Sequence, residues 1–144
     1  MRAWRISNYA DLSGQGGRAV SGRWHVKGRP IIYCADHPST SLLEILVHAS
    51  RETVPDGYQL IDIDVPDDIH VIDVELPAGW ERDLAVSQRV GSQFLEARKS
   101  AVLRVPSAIM PKAANLLINP LHPSARLISI VGTWRYPFDS RLFG

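Results

Sequence analysis

An α+β fold is predicted for this chain, organised as a single domain over residues 1–144. Three observations predict it. Many short segments carry the apolar or alternating pattern of strands, only two stretches carry that of main helices, and the two kinds do not alternate regularly. No internal repeat, low-complexity tract or break in composition divides the chain, whose length suits one domain with a real core. Short mixed or antiparallel strands beside two helices are therefore expected, rather than a doubly wound sheet.

Ala3-Trp4-Arg5-Ile6 reads as a first strand. The glycine-dense run Ser13-Gly14-Gln15-Gly16-Gly17 reads as a loop, because glycine disfavours both helix and strand. Arg29 to Ala35, rich in isoleucine and bounded by Gly28 and Asp36, reads as a buried strand. Helix-start chemistry in Asp36-His37-Pro38-Ser39-Thr40-Ser41 leads into a helix over Leu42 to Ser50. Its apolar residues surround most of the axis, which predicts burial, apart from a polar stripe of Ser41, Glu44 and His48.

Pro55-Asp56-Gly57 marks a turn, and Tyr58 to Val65 alternates as a half-buried strand. After Pro66-Asp67-Asp68, the strand His70 to Val74 is expected to form a hairpin with it. Asp83 to Lys99 is the second helix, with Asp83 as its cap and Leu84, Val90, Phe94 and Leu95 as its apolar face. Ala101 to Val105, Leu116 to Pro120 and Leu127 to Val131 are the remaining strands.

Apolar residues make up 45% of the chain and charged residues 22%, which is globular and argues against disorder. The formal net charge of +1, with both signs interleaved, leaves no basic stripe for nucleic acid or an anionic membrane. No signal peptide or membrane span is visible, so a cytoplasmic location is expected. Cys34 stands alone, which excludes an intrachain disulfide and a cysteine metal cluster. Within an apolar strand it reads as a small hydrophobe. Glu44 and His48 could supply two metal ligands, but no clustered His set completes a site, and no metal is expected.

The stretch from Gly16 to Glu44 concentrates the candidate chemistry. Glu44 closes a capping-box pattern, Ser41-Leu42-Leu43-Glu44, and that is one reading of it. The other is a carboxylate at the edge of a pocket, able to bond a ribose hydroxyl and stabilise an oxocarbenium-like transition state. Arg23 can bind phosphate through its planar fork, with Arg18 assisting, or can lie on the surface stacked on Trp24. Tyr33 can pack in the core or offer its face to a nicotinamide or adenine ring. Ser107 follows a strand end, a common place for a turn or helix cap, and no GxSxG pattern makes it a hydrolase nucleophile.

In order and spacing these segments resemble the RES domain, the toxin half of the Xre-RES type of bacterial toxin-antitoxin pair. The residues that carry the resemblance are Trp4-Arg5-Ile6, Ser21-Gly22-Arg23-Trp24, Gly28 to Tyr33 and Ser39 to Glu44. Leu103 to Ala108, Asn115 to Pro123 and Phe138 to Leu142 extend it over nearly the whole chain. It implies an ADP-ribosyltransferase-like fold acting on NAD as substrate, with no cofactor. It also implies an Xre-like helix-turn-helix antitoxin as partner, in a higher-order complex. Carried over residue by residue, it makes Arg23, Tyr33, Glu44 and Ser107 the catalytic set. Arg18 and Asn119 are expected to help line the NAD pocket, and the glycine run to move over the ligand. NAD depletion by hydrolysis or phosphorolysis is the expected outcome. ADP-ribosylation of a cellular protein is the alternative, and a non-catalytic nucleotide-binding module a second one.

Overall fold

The computed structural model describes residues 1–48, 57–136 and 138–143. Its strands are β1 (Arg2–Ser7), β2 (Ile32–Ala35), β3 (Gln59–Asp64), β4 (Val71–Asp73), β5 (Val102–Pro106), β6 (Ala114–Ile118) and β7 (Ser129–Arg135). They form one sheet in the order β4-β5-β6-β2-β1-β3-β7. Every pairing is antiparallel except that of β4 with β5. The described α-helices are α1 (Gly16–Ala19), α2 (Pro38–Leu46) and α3 (Leu84–Ala97). This is the predicted α+β class, with α1 a single turn beside two main helices.

Alternation along the strands gives the sheet a core on each face. Ile32, Cys34, Ile61, Ile63, Val102, Leu116 and Ile118 pack on one side. Leu103, Val105 and Leu117 pack on the other, against Trp24, Ile31 and the Phe94 and Leu95 face of α3.

The expected hairpin between segments 58–65 and 70–74 does not form. β3 lies between β1 and β7, while β4 sits at the far edge, parallel to β5. Two physical reasons account for this. Ile61 and Ile63 are fully buried, which demands neighbours on both edges, whereas β4 has three residues and an exposed Asp73. Between β4 and β5 the chain contains α3, and a parallel pair needs a crossover of that length. A single βαβ unit is thus embedded in an antiparallel sheet.

α3 starts at the predicted cap, where the Asp83 carboxylate accepts the Ala85 N–H. Phe94 and Leu95 are buried and Val90 packs beside them, but Leu84 is half exposed and lies off the apolar face. Gly91 brings α3 onto the Trp24 segment. A Cβ there would stand 1.6 Å from the Trp24 carbonyl oxygen. Around this contact the Ser87 hydroxyl donates to the Arg23 carbonyl at 2.7 Å, and the Gln88 amide donates to the Gly22 carbonyl at 3.0 Å. The helix therefore holds the backbone that presents Arg23.

α2 begins earlier than expected. His37 caps it by accepting the Ser39 N–H, and Pro38 takes the first turn, where its missing N–H costs nothing. The helix is not buried all round: Leu42, Leu43, Ile45 and Leu46 are half-buried and Val47 is exposed. Residues 49–50 of the expected helix, and Pro55 and Asp56 of the expected turn, lie outside the described residues. The glycine run does not form an open loop over a cavity. Gly14, with a φ of +66°, packs against the backbone of Ile31, and Gly16 and Gly17 begin α1.

Candidate active site

A fork in the sheet makes the cavity. β1 pairs with β3 over six residues, and β2 with β6 over four, but β1 and β2 meet only at Trp4 and Ala35. Beyond that point the two strands part. A cavity of about 460 Å³ opens there, floored by Arg5 to Tyr9 on one side and Tyr33 to Ala35 on the other. Gly22 to Trp24, the Ser41, Glu44 and Ile45 face of α2, and Asn115 of β6 complete its walls, with His48 and Tyr58 at the side.

Glu44 is the centre of the polar arrangement. Its Oε1 accepts the Ser107 hydroxyl at 3.0 Å and the Asn115 amide at 2.9 Å. The Ser107 oxygen itself accepts the N–H groups of Ile109 and Met110, so its proton is left to point at Glu44. Ser107 is thus a turn residue and a carboxylate holder at once. No hydrogen bond or cation reaches Glu44 Oε2 among the described residues. The capping-box reading does not hold: Ser41 lies inside α2, four residues past the cap, and donates its hydroxyl to the Trp4 carbonyl at 2.7 Å.

Tyr33 lines the cavity with its ring and sends its hydroxyl behind the wall. That oxygen accepts the Trp24 N–H at 3.1 Å and lies 2.7 Å from His25 Nδ1. On the other side of the imidazole, Nε2 is 3.0 Å from the Gly17 carbonyl, which only accepts. Nε2 therefore carries the ring proton, and Nδ1 accepts the proton of Tyr33. His25 is buried, and this chain ties α1 and the Trp24 segment to β2. Burial pushes the Tyr33 hydroxyl up to about 12, so it stays protonated.

Arg23 borders the cavity half-buried. It donates to the Glu81 carbonyl at 2.8 Å, and its guanidinium lies 5.7 Å from the centre of the Trp80 ring. The expected aromatic partner, Trp24, is buried and itself stacks on Trp80 at 5.2 Å. No carboxylate neutralises Arg23 among the described residues. Cys34 is buried against the floor, and burial pushes its thiol up to about 12, the behaviour of a packing residue. Glu44 and His48 both border the cavity, but among the described residues no group of three His, Cys, Asp or Glu is placed to hold a metal ion.

The structure thus brings together Arg23, Tyr33, Glu44 and Ser107. Arg18 and Asn119 do not join them. Arg18 is exposed on α1, away from the cavity lining. Asn119 is buried at the end of β6, donating to the Leu95 carbonyl at 3.2 Å and accepting the Leu121 N–H at 3.0 Å. It ties α3 to the sheet. Arg5 and Asn115 also line the cavity, and neither carried an expected role. Arg5 spans the fork, donating to the Tyr33 carbonyl at 3.1 Å, and Asn115 braces Glu44. Their signals were present: an arginine inside an apolar strand, and an asparagine directly before Leu116-Leu117-Ile118.

The model of the RES domain matches residues 2–139. This chain belongs to the RES domain family. Among its relatives, a Toxin Res of Pseudomonas putida is 45% identical, over 99% of this chain and all of that protein. A Prs ADP-ribosylating toxin of Sphingobium sp. is 37% identical, over 96% of this chain and 94% of that one. In fold, this RES domain is similar to a chain of the MbcT-MbcA toxin-antitoxin complex of M. tuberculosis, with a TM-score of 0.74 at 21% identity. That similarity covers 94% of this chain and 83% of the other. In the RES domain described here, then, the fork between β1 and β2 carries the Glu44 cluster.

Proposed function

We propose that this RES domain is a bacterial toxin that cleaves the bond between nicotinamide and ribose in NAD, and so depletes the cell of NAD. One observation carries the reading: a carboxylate is braced through a single oxygen at the wall of an open cavity, and among the described residues no cation neutralises it. Such a group is arranged to face positive charge that develops on a ligand. Family membership and the names of its relatives support the toxin role.

In the proposed reaction Arg23 binds the pyrophosphate at the cavity mouth, and the Tyr33 ring orients the nicotinamide. Glu44 bonds the adjoining ribose through Oε2. The bond from C1′ to the ring nitrogen breaks with its electron pair moving to that nitrogen, so nicotinamide leaves neutral. Glu44 stabilises the oxocarbenium-like centre that remains. Water then adds at C1′ and loses a proton, or phosphate adds in its place. The leaving group needs no general acid, because its nitrogen is already cationic in NAD.

A second reading keeps this site and makes the acceptor a protein side chain, as the name of the Sphingobium relative says of that toxin. Incubating the purified protein with NAD labelled in the adenylate part separates the two. Free nicotinamide with label in ADP-ribose supports depletion, whereas label on a protein supports transfer. Intact NAD overturns both, and leaves the third reading, a nucleotide-binding module without catalysis. For the partner, the complex that contains the structural neighbour supports an antitoxin, proposed here as an Xre-like helix-turn-helix protein in a higher-order assembly. A cytoplasmic site of action follows from a substrate found there. Among the described residues no helix is long and apolar enough to cross a membrane.

A further inference from the structure

We infer that Asn115 is a positioning residue of this site that fixes Glu44 through its amide nitrogen and accepts a ligand hydroxyl through its amide oxygen. This rests on the proposed NAD reading. Nδ2 lies 2.9 Å from Glu44 Oε1, and a carboxylate only accepts, so the amide must turn its NH₂ toward Glu44. That orientation sends Oδ1 elsewhere. Asn115 is 7% exposed and borders the cavity, and its Oδ1 is buried with no hydrogen-bond partner.

An unpaired buried acceptor is a real cost, and native proteins rarely carry one without use. An apolar residue would fill β6 without that cost, as Leu116, Leu117 and Ile118 do. Nor is the side chain free to seek a partner by moving its backbone. Asn115 pairs with Ala35 on one side and Val105 on the other, in an interior strand of the sheet. The amide is therefore rigidly placed beside the carboxylate.

Two acceptors without a protein donor among the described residues then belong to side chains that border the cavity, Glu44 Oε2 and Asn115 Oδ1. Neither can donate. A ligand that suits both offers two donors on adjacent atoms, and the unsubstituted cis-diol of the nicotinamide-side ribose does so. Asn115 thereby selects for a free diol next to the bond that breaks, and keeps Glu44 from rotating away as charge develops.

The test measures kcat and KM for nicotinamide release by wild type, Asn115→Ala and Asn115→Asp. The substrates are NAD and its 2′-deoxy and 3′-deoxy analogues on the nicotinamide ribose. On NAD, Asn115→Ala is expected to lower kcat roughly 10–100-fold, the effect typical of residues that orient a catalytic group, with KM moving less. Asn115→Asp, nearly the same shape but without the N–H donor, is expected to fare no better. On the analogue lacking the hydroxyl that Asn115 accepts, the ratio of variant to wild type should recover several-fold. A merely structural role would lower all three substrates by one factor, and that result overturns the inference. So does full activity of Asn115→Ala while Glu44→Gln is inactive, a result that leaves the NAD reading standing. Wild type that neither binds nor cleaves NAD overturns both. Thermal melting of each variant accompanies the kinetics, and if Asn115→Ala does not fold, Asn115→Asp on the three substrates decides.

Discussion

Glu44→Gln keeps the length of the side chain and an oxygen for Ser107 and Asn115 to bond, but removes the charge. The variant should melt within a few degrees of wild type while nicotinamide release falls by about 100-fold or more, the order lost when electrostatic stabilisation of a transition state is removed. Unchanged release in a chromatographic assay would remove Glu44 from the mechanism. Ser107→Ala should act on both stability and rate. It deletes one bond to Glu44 and leaves the Ile109 and Met110 N–H groups without their acceptor, at a cost of about 1–3 kcal/mol in denaturant unfolding. A loss of stability without loss of turnover would make Ser107 a turn residue alone. Legibility at this scale was uneven. Arg23, Tyr33, Glu44 and Ser107 were found through family resemblance, since spacing alone also allowed a capping box, a surface arginine, a core tyrosine and a turn. Asn115 and Arg5 carried no expected role, because a single polar residue in an apolar strand does not say whether its side chain meets a cavity or solvent.

α3 links the packing of the domain to the geometry of its site. Gly91→Ala places a methyl group where the Trp24 carbonyl already is, and backbone cannot yield as a flexible side chain can. Overpacking of this kind costs about 3 kcal/mol or more, so chemical denaturation should show a strongly destabilised protein. Ser87→Ala is the milder probe. It removes one bond to the Arg23 carbonyl, with an expected stability loss of about 1 kcal/mol. If α3 steadies Arg23, KM for NAD should rise several-fold with kcat little changed; an unaltered KM would confine Ser87 to packing. Both main helices and most strands were legible from periodicity and caps, Asp83 most clearly. The partners of β3 and β4 were not, because proximity in sequence favoured a local hairpin that burial of Ile61 and Ile63 and the α3 crossover overrode. The predicted burial of α2 failed for a related reason. An apolar helix at the rim of a cavity leaves part of its surface uncovered, and periodicity does not encode the cavity.

For the whole molecule, the two groups most perturbed by burial lie side by side in β2. Cys34 and Tyr33 are each pushed up to about 12, from ordinary values of 9.0 and 10.0. In the unfolded chain both release their protons earlier. The stability associated with them is therefore fully present below about pH 9 and is lost as pH rises toward 12. Melting temperature should fall steadily across that window. Cys34→Ala should move the onset of the fall up toward pH 10, where Tyr33 alone responds; an onset that stays near pH 9 would assign the decline to other groups. The sheet order that makes this β2 an interior strand could not be read from one sequence, since it depends on pairings among segments far apart in the chain.

The separation of Glu44 from its two braces has a consequence for how the protein is made. Ser107 and Asn115 stand 63 and 71 positions beyond Glu44. During synthesis the first half of the chain emerges with its carboxylate unbraced. It acquires both partners only when β5 and β6 arrive and β6 pairs with β2, a long-range closure that comes late in folding. A nascent chain therefore carries no assembled site. For a protein proposed to consume NAD in the cell that translates it, activity begins only after most of the chain has been produced, which leaves an interval in which a partner can already be waiting.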